Sequence, residues 1–280
     1  MLLAVDESPN GQFAARLVGL IAGFRGIPVT VLHIGRKSER PSDAEQSGPE
    51  KAVEAAAAVA RASAEADRYE SGSPPVDIST RIGEGGLTAT VADEAKKGYG
   101  LLAIGVGKVT TKQDFHDRIT RAAAGFEGPL MIVRAQGPHL EDPINSKFRI
   151  VLPVTGTEVS RRAAEVAVAM AKASRAPIVA VYASSAGDSR TRRRRGGATR
   201  AHEDAILQDF LGLARRYGVE AETVVRSDTD PDEAIVGAAQ DSHDLIVMGA
   251  NRRAGTPLYL GEVAASVLQT SKVSVVLVTN

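Results

Sequence analysis

The chain is 280 residues long, carries 34 basic and 34 acidic side chains, and contains no cysteine. That length suits two domains of ordinary size, each with its own core, and the balanced charge excludes a strong general pull toward nucleic acid or an anionic membrane. Without cysteine there are no disulfides or thiolate metal sites, which fits a reducing cytosol, and no apolar run approaches the roughly 20 residues that span a bilayer.

In chain order, near-continuous apolar runs at 2–6, 29–34, 76–82, 101–105 and 130–133 are predicted strands, buried on both faces as in a parallel sheet. Small and apolar residues at helical spacing place helices between them at 11–23, 50–69, 87–97 and 118–126. Residues 135–147, with Gly137-Pro138 and Asp142-Pro143, break both periodicities and read as a linker. Helices follow near 158–174, 200–217, 232–241 and 259–270. Residues 36–49 and 184–199 read as loops, each after the second strand of its half. The later one holds Arg190 and the run Arg192 to Arg195 before Gly196-Gly197.

The second half echoes the first. Leu2 to Glu7 corresponds to Ile150 to Gly156, Leu101 to Gly105 to Leu245 to Gly249, and Pro129 to Val133 to Val273 to Val278. The predicted organisation is therefore two domains at 1–137 and 148–280, joined by 138–147. The fold class is α/β: two tandem doubly wound five-stranded parallel-sheet domains in a pseudo-two-fold pair, a duplication and not a solenoid. Ligands in such sheets sit beyond the carboxyl ends of the strands, so a pocket is expected near Asp6, Gly83 and Gly105, or near Thr155, Ser227 and Gly249. Met1 leads at once into a predicted strand, which suggests a fragment of a longer polypeptide.

The residues Ala4-Val5-Asp6-Glu7-Ser8, the αβ repeat, and Gly249-Ala250-Asn251-Arg252-Arg253 followed by Gly261-Glu262-Val263-Ala264 resemble a tandem universal stress protein (UspA-like), with its adenine nucleotide alpha hydrolase-like fold. More narrowly, residues 122–129 and 257–262 resemble the paired stress-protein region at the cytosolic, C-terminal end of some bacterial cation:proton antiporters. Nucleotide-binding members of the family place an acid after the first strand to face adenine. After the fourth strand they carry G-x-x-G, nine residues, then G and Ser or Thr. Glycines let backbone amides approach phosphate, and the helix N-terminus adds a favourable dipole.

This chain matches that pattern in pieces. Asp6 is in place, but the loop after Gly105 is not completed. In the second half Gly249 and Gly261 stand, while Arg252 replaces the second glycine, Glu262 replaces the hydroxyl and Thr155 replaces the acid. A carboxylate at that helix N-terminus uses the amides a phosphate would need, and like charges repel there by several kcal/mol at an effective dielectric of about 20. Arg252 and Arg253 are either phosphate ligands or partners for Glu262 or for the other domain. Asp6 either faces adenine or caps the following helix. Gly83, in Gly83-Glu84-Gly85-Gly86, either approaches a ligand or makes a tight turn. The nucleotide-binding candidates are thus Asp6, Gly83, Gly105, Thr155, Gly249, Arg252, Arg253 and Gly261, with AMP, ATP or a cyclic dinucleotide as ligand.

Catalytic signals are absent from the sequence. His33, His116, His139, His202 and His243 have no metal-ligand spacing and read as surface or strand-end residues. There is no P-loop lysine and no glycine-flanked nucleophile elbow. The arginine run lacks interleaved aromatics and reads as a solvated loop, with anionic lipid headgroups as a lesser partner. The expectation is a non-enzymatic regulatory module of a Na⁺ or K⁺:proton antiporter, open to nucleotide sensing and with no metal. Its partner would be a transmembrane domain of the same polypeptide at the cytosolic face of the inner membrane. The closing strands would pair with each other or with a second copy in a homodimer. The alternative is a free tandem stress protein that binds ATP or AMP.

Overall fold

A computed structural model describes residues 1–6, 8–34, 48–66, 75–83, 87–107, 119–123, 125–184, 186–227, 229–252 and 260–280, with 87–88, 184 and 186–199 described by their backbone alone. Apolar β-branched runs form the strands. The first half is β1 (Leu2–Val5), α1 (Pro9–Arg25), β2 (Val29–His33), α2 (Gly48–Glu65), β3 (Ile78–Ile82), α3 (Leu87–Ala95), β4 (Leu102–Gly105) and β5 (Leu130–Arg134). A short helix, α4 (Pro138–Glu141), leads to β6 (Arg149–Pro153), α5 (Glu158–Ser174), β7 (Ile178–Ser184), α6 (Ala186–Arg216), β8 (Ala221–Ser227), α7 (Pro231–Ala238), β9 (Asp244–Ala250), α8 (Glu262–Thr270) and β10 (Ser274–Thr279).

All ten strands lie in one sheet, in the order β3-β2-β1-β4-β5-β10-β9-β6-β7-β8. Pairing is parallel within each half, while β5 and β10 run antiparallel, with Val133 opposite Val276 and Ile132 opposite Leu277. The closing strands therefore pair with each other, and the two parallel sheets are continuous. One face of the sheet carries a core from α1, α2, α5 and α6, and the other a core from α3, α7, α8 and a helical turn at 119–122. The outer strands β3 and β8 depart from the expected two-sided burial. Ile82 and Val225 are each 45% exposed, because an edge strand has a neighbour on only one side.

Repetition extends to the helix ends. Ser8 and Thr157 are the N-caps of α1 and α5, accepting from the amides of Gly11 at 3.3 Å and Ser160 at 3.4 Å. Both helices end in a left-handed residue, Gly26 at φ 64° and Arg175 at φ 57°. Glycine takes that conformation freely, whereas for arginine it costs roughly 1 kcal/mol. The register of β6 against β9 is held by a forked ion pair between Arg149 and the fully buried Asp244, at 2.7 and 2.9 Å, with the Asp241 amide donating to the same carboxylate at 3.0 Å.

Two further sequence expectations fail here. Residues 186–199 are not a loop but the first part of the 31-residue helix α6. Arginine is a good helix former, and Gly196-Gly197 cost only about 1 kcal/mol each relative to alanine. His139, read as a surface or strand-end residue, is completely buried in the linker. Its ring stacks on Phe13 of α1 at 4.8 Å and meets Phe148 edge-on at 6.2 Å. The Lys147 carbonyl, 3.1 Å from Nε2, can only accept, so Nε2 carries the proton and Nδ1 accepts from the Ser274 hydroxyl of β10 at 2.8 Å. The imidazole thus ties α1, the linker and β10 together.

Burial pulls His139 below its ordinary value of 6.5; the Lys147 carbonyl and Asp244 oppose this, while Arg16 and His243 add to it. The unfolded chain then takes up a proton at a higher pH than the folded one, so the contribution is complete above the unfolded value and is lost as pH falls below it. The stability of the wild type against urea should fall as pH drops from about 6.5 toward the depressed folded value, and His139→Gln should flatten that dependence. An unchanged slope in the variant would contradict the assignment.

Candidate functional site

The carboxyl ends of the central strands bring the candidate residues together in two equivalent clusters. In the first half, Asp6 follows β1, and its Oδ1 accepts from the Ser8 amide at 3.0 Å and from the Ser8 hydroxyl. Gly105 closes β4 against the first turn of α1: a Cβ there would lie 2.5 Å from the Asn10 carbonyl oxygen and 2.7 Å from the Gly11 nitrogen. In the second half, Thr155 shares a 2.9 Å hydroxyl contact with Thr157, and its amide donates to Ser160 Oγ at 3.0 Å. A Cβ on Gly249 would lie 2.5 Å from the Val159 carbonyl carbon and 2.8 Å from the Ser160 nitrogen.

Both glycines are thus required by the approach of a helix to the sheet. The bridge from residue to N-cap persists although its chemistry changed, Asp6 to Ser8 in one half and Thr155 to Thr157 in the other. Asp6 supports the cap and does not itself cap α1. Asn10 Oδ1 is a further tie, accepting from the Ala135 amide at 2.8 Å and pinning α1 to the end of β5. A buried asparagine in the first turn of a helix was the only sequence signal for it.

The remaining candidates stand apart from these clusters. Gly83 packs against the Thr90 side chain of α3 and lines a cleft of about 390 Å³ with Arg81, Glu94 and Lys97. There the carboxylate of Glu94 is held by Arg81 at 3.2 Å, Lys97 at 2.6 Å and the Tyr99 hydroxyl at 2.6 Å. Burial raises the pKa of Glu94, but the hydrogen bonds from Lys97 and Tyr99 and the charges of Arg81 and Lys97 outweigh it and leave the group below its ordinary value. Gly261 is the N-cap of α8 at φ 83°, directly before Glu262.

Arg252 reaches into the first half, donating from its two terminal nitrogens to the carbonyls of Phe126 at 2.8 Å and Gly128 at 3.0 Å. Its own amide donates to Asn280 at 3.0 Å. Burial lowers its pKa, against the charge of Glu127. Arg253 lies outside the described residues, as do His116 and the stretch 108–118 after β4. Among the described residues there is no group of three or more histidine and acidic side chains able to hold a metal, and no helix is long and apolar enough to cross a membrane.

Residues 148–279 match the universal stress protein family. Over nearly the whole chain the fold is that of a universal stress protein from Archaeoglobus fulgidus DSM 4304, with a TM-score of 0.52, 15% identity, and coverage of 99% of this chain and 97% of that one. A universal stress protein from Lactobacillus plantarum aligns with 48% of this chain and 99% of its own, at 20% identity and a TM-score of 0.41. Another, in complex with cAMP, aligns with 48% of this chain and 97% of its own, at 24% identity and a TM-score of 0.39. No curated protein matches the chain. The second half is therefore similar to a universal stress protein domain, and the α/β fold is that of a universal stress protein structure.

If Gly105 and Gly249 seat helices, each Gly→Ala change should lower the unfolding free energy by about 2 kcal/mol through forced backbone movement. Urea denaturation measures this directly. Unchanged stability in both variants would show that the glycines serve something other than the packing of α1 and α5.

Proposed function

We propose that the chain is a non-catalytic regulatory module of the universal stress protein type, the cytosolic regulatory region of a Na⁺ or K⁺:proton antiporter whose transmembrane part belongs to the same polypeptide. The observation that carries this reading is that the polar groups at the strand ends are engaged within the chain. Ser8 and Thr157 occupy amides of α1 and α5, helix backbone fills the space above Gly105 and Gly249, and Arg252 is committed to carbonyls of the other half. Glu262 opens α8, where a phosphate would otherwise find a favourable dipole. What is left is a two-lobed platform on one sheet, suited to relaying a contact. The antiporter context rests on the resemblance of residues 122–129 and 257–262.

The second reading, a free tandem stress protein that binds ATP, AMP or a cyclic dinucleotide, is favoured by the exposed carboxylate of Asp6 at the end of β1. Calorimetry with ATP, AMP and cyclic dinucleotides separates the two. The regulatory reading expects no stoichiometric ATP binding and no ATP hydrolysis above buffer. Saturable ATP binding that is lost in Asp6→Ala would establish the second. In vesicles holding the full-length polypeptide, removing this region should alter proton-coupled cation exchange; identical transport without it would contradict a regulatory role.

A further inference from the structure

The halves differ between their first two helices. Counted from the N-caps Ser8 and Thr157, Gly19 and Gly23 of α1 correspond to Val168 and Lys172 of α5. Bare backbone at the two glycines seats α2 directly on α1. A Cβ at Gly19 would lie 2.8 Å from Ser63 Cβ and 2.9 Å from Ala60 Cα, and one at Gly23 2.8 Å from Ala64 Cα. Helix α5 offers no such seat to α6, and a groove of about 680 Å³ opens between them. That volume lies within the roughly 300–1,000 Å³ usual for small-molecule sites.

The floor of the groove is apolar and buried, formed by Val154, Ala164, Ile206 and Phe210. Its charged rim comes from Arg161 and Glu165 on α5 and from Asp209 and Arg216 on α6. Three of these have evident surroundings or limits. Glu165 pairs with Arg25 of α1 at 3.4 Å. Arg216 sits in the last turn of α6, where the helix dipole favours a cation. Asp209 keeps the net charge of the rim low.

Arg161 is different. It stands in the first turn of α5, where the dipole disfavours a cation, and Glu158 is taken by the neighbouring Arg162 at 2.7 Å. No described residue forms an ion pair with Arg161. Exposed at the lip of a groove with a buried apolar floor, the Arg161 guanidinium is accessible to an anionic group from outside the chain.

We propose that this groove binds a small amphipathic carboxylate, with the head group on Arg161 and an aliphatic body over Ile206 and Phe210. The acidic pair on the rim restricts the head to a single negative charge, which sets the site apart from a polyphosphate site. The proposal rests on the groove itself and is independent of the regulatory role proposed above.

Calorimetry with octanoate, and with octanol as its uncharged analogue, tests it. Wild-type protein should bind one octanoate. Arg161→Gln should weaken octanoate about tenfold and leave octanol unchanged, while Arg162→Gln should leave both unchanged. Ala205→Phe, at an exposed position on the groove wall, should abolish both, with circular dichroism melts checking that each variant is folded. Absence of octanoate binding to the wild type, equal affinity in Arg161→Gln, or an equal loss in Arg162→Gln would each overturn the proposal.

Discussion

The antiparallel pairing of β5 with β10 is the constraint on which the rest of the molecule depends. Each half is a parallel sheet that would end in a largely apolar strand, and the side chains of Leu130 to Val133 and Val275 to Leu277 have no exposed surface. An open edge of that kind is a template for uncontrolled pairing. Joining the two edges removes the hazard and builds a pseudo-two-fold axis into one chain. The Thr279 hydroxyl accepts from the Leu130 amide at 3.0 Å beside the seam, and α1 and α5 pack against each other above it. Arg252 and the linker imidazole of His139 then fasten the same two halves from opposite sides of the seam.

Much of this fold is visible in the sequence, because burial in a parallel sheet demands long β-branched runs and an amphipathic helix demands a cap. Helix α5 falls on residues 158–174 as its periodicity predicts. The failures have physical causes. Gly196-Gly197 is a turn signal only where the flanking residues also resist helix, and the arginines there do not. The exposure of β3 and β8 depends on sheet order, which no local pattern encodes. His139 read as a surface or strand-end residue because its partners Phe13 and Ser274 are more than a hundred residues away in the chain.

The candidate site was legible as a location more than as a mechanism. Asp6 with Gly105, and Thr155 with Gly249, do meet at the carboxyl ends of the central strands, where ligands of open α/β sheets generally bind. What the residues do there is set by helix approach, and this becomes visible only when Asn10 and Gly11, or Val159 and Ser160, are seen against the strand ends. Arg252, open in sequence to phosphate binding or to an interdomain role, has its guanidinium on the carbonyls of Phe126 and Gly128. The halves diverge where α1 and α2 pack most closely: Val168 and Lys172 stand in α5 where α1 has Gly19 and Gly23, and the strained Arg175 stands where α1 ends in Gly26, while the caps and strand-end glycines correspond.

Native-state hydrogen exchange of the β5 and β10 amides tests the continuous sheet most directly. If the seam is integral, Met131, Ile132, Val133, Val276 and Leu277 should exchange only through global unfolding, with the same opening free energy as the central strands β1 and β6. Exchange of the β5 and β10 amides through a sub-global opening about 2 kcal/mol cheaper, while β1 and β6 stay protected, would mean that the halves are separate bodies merely in contact.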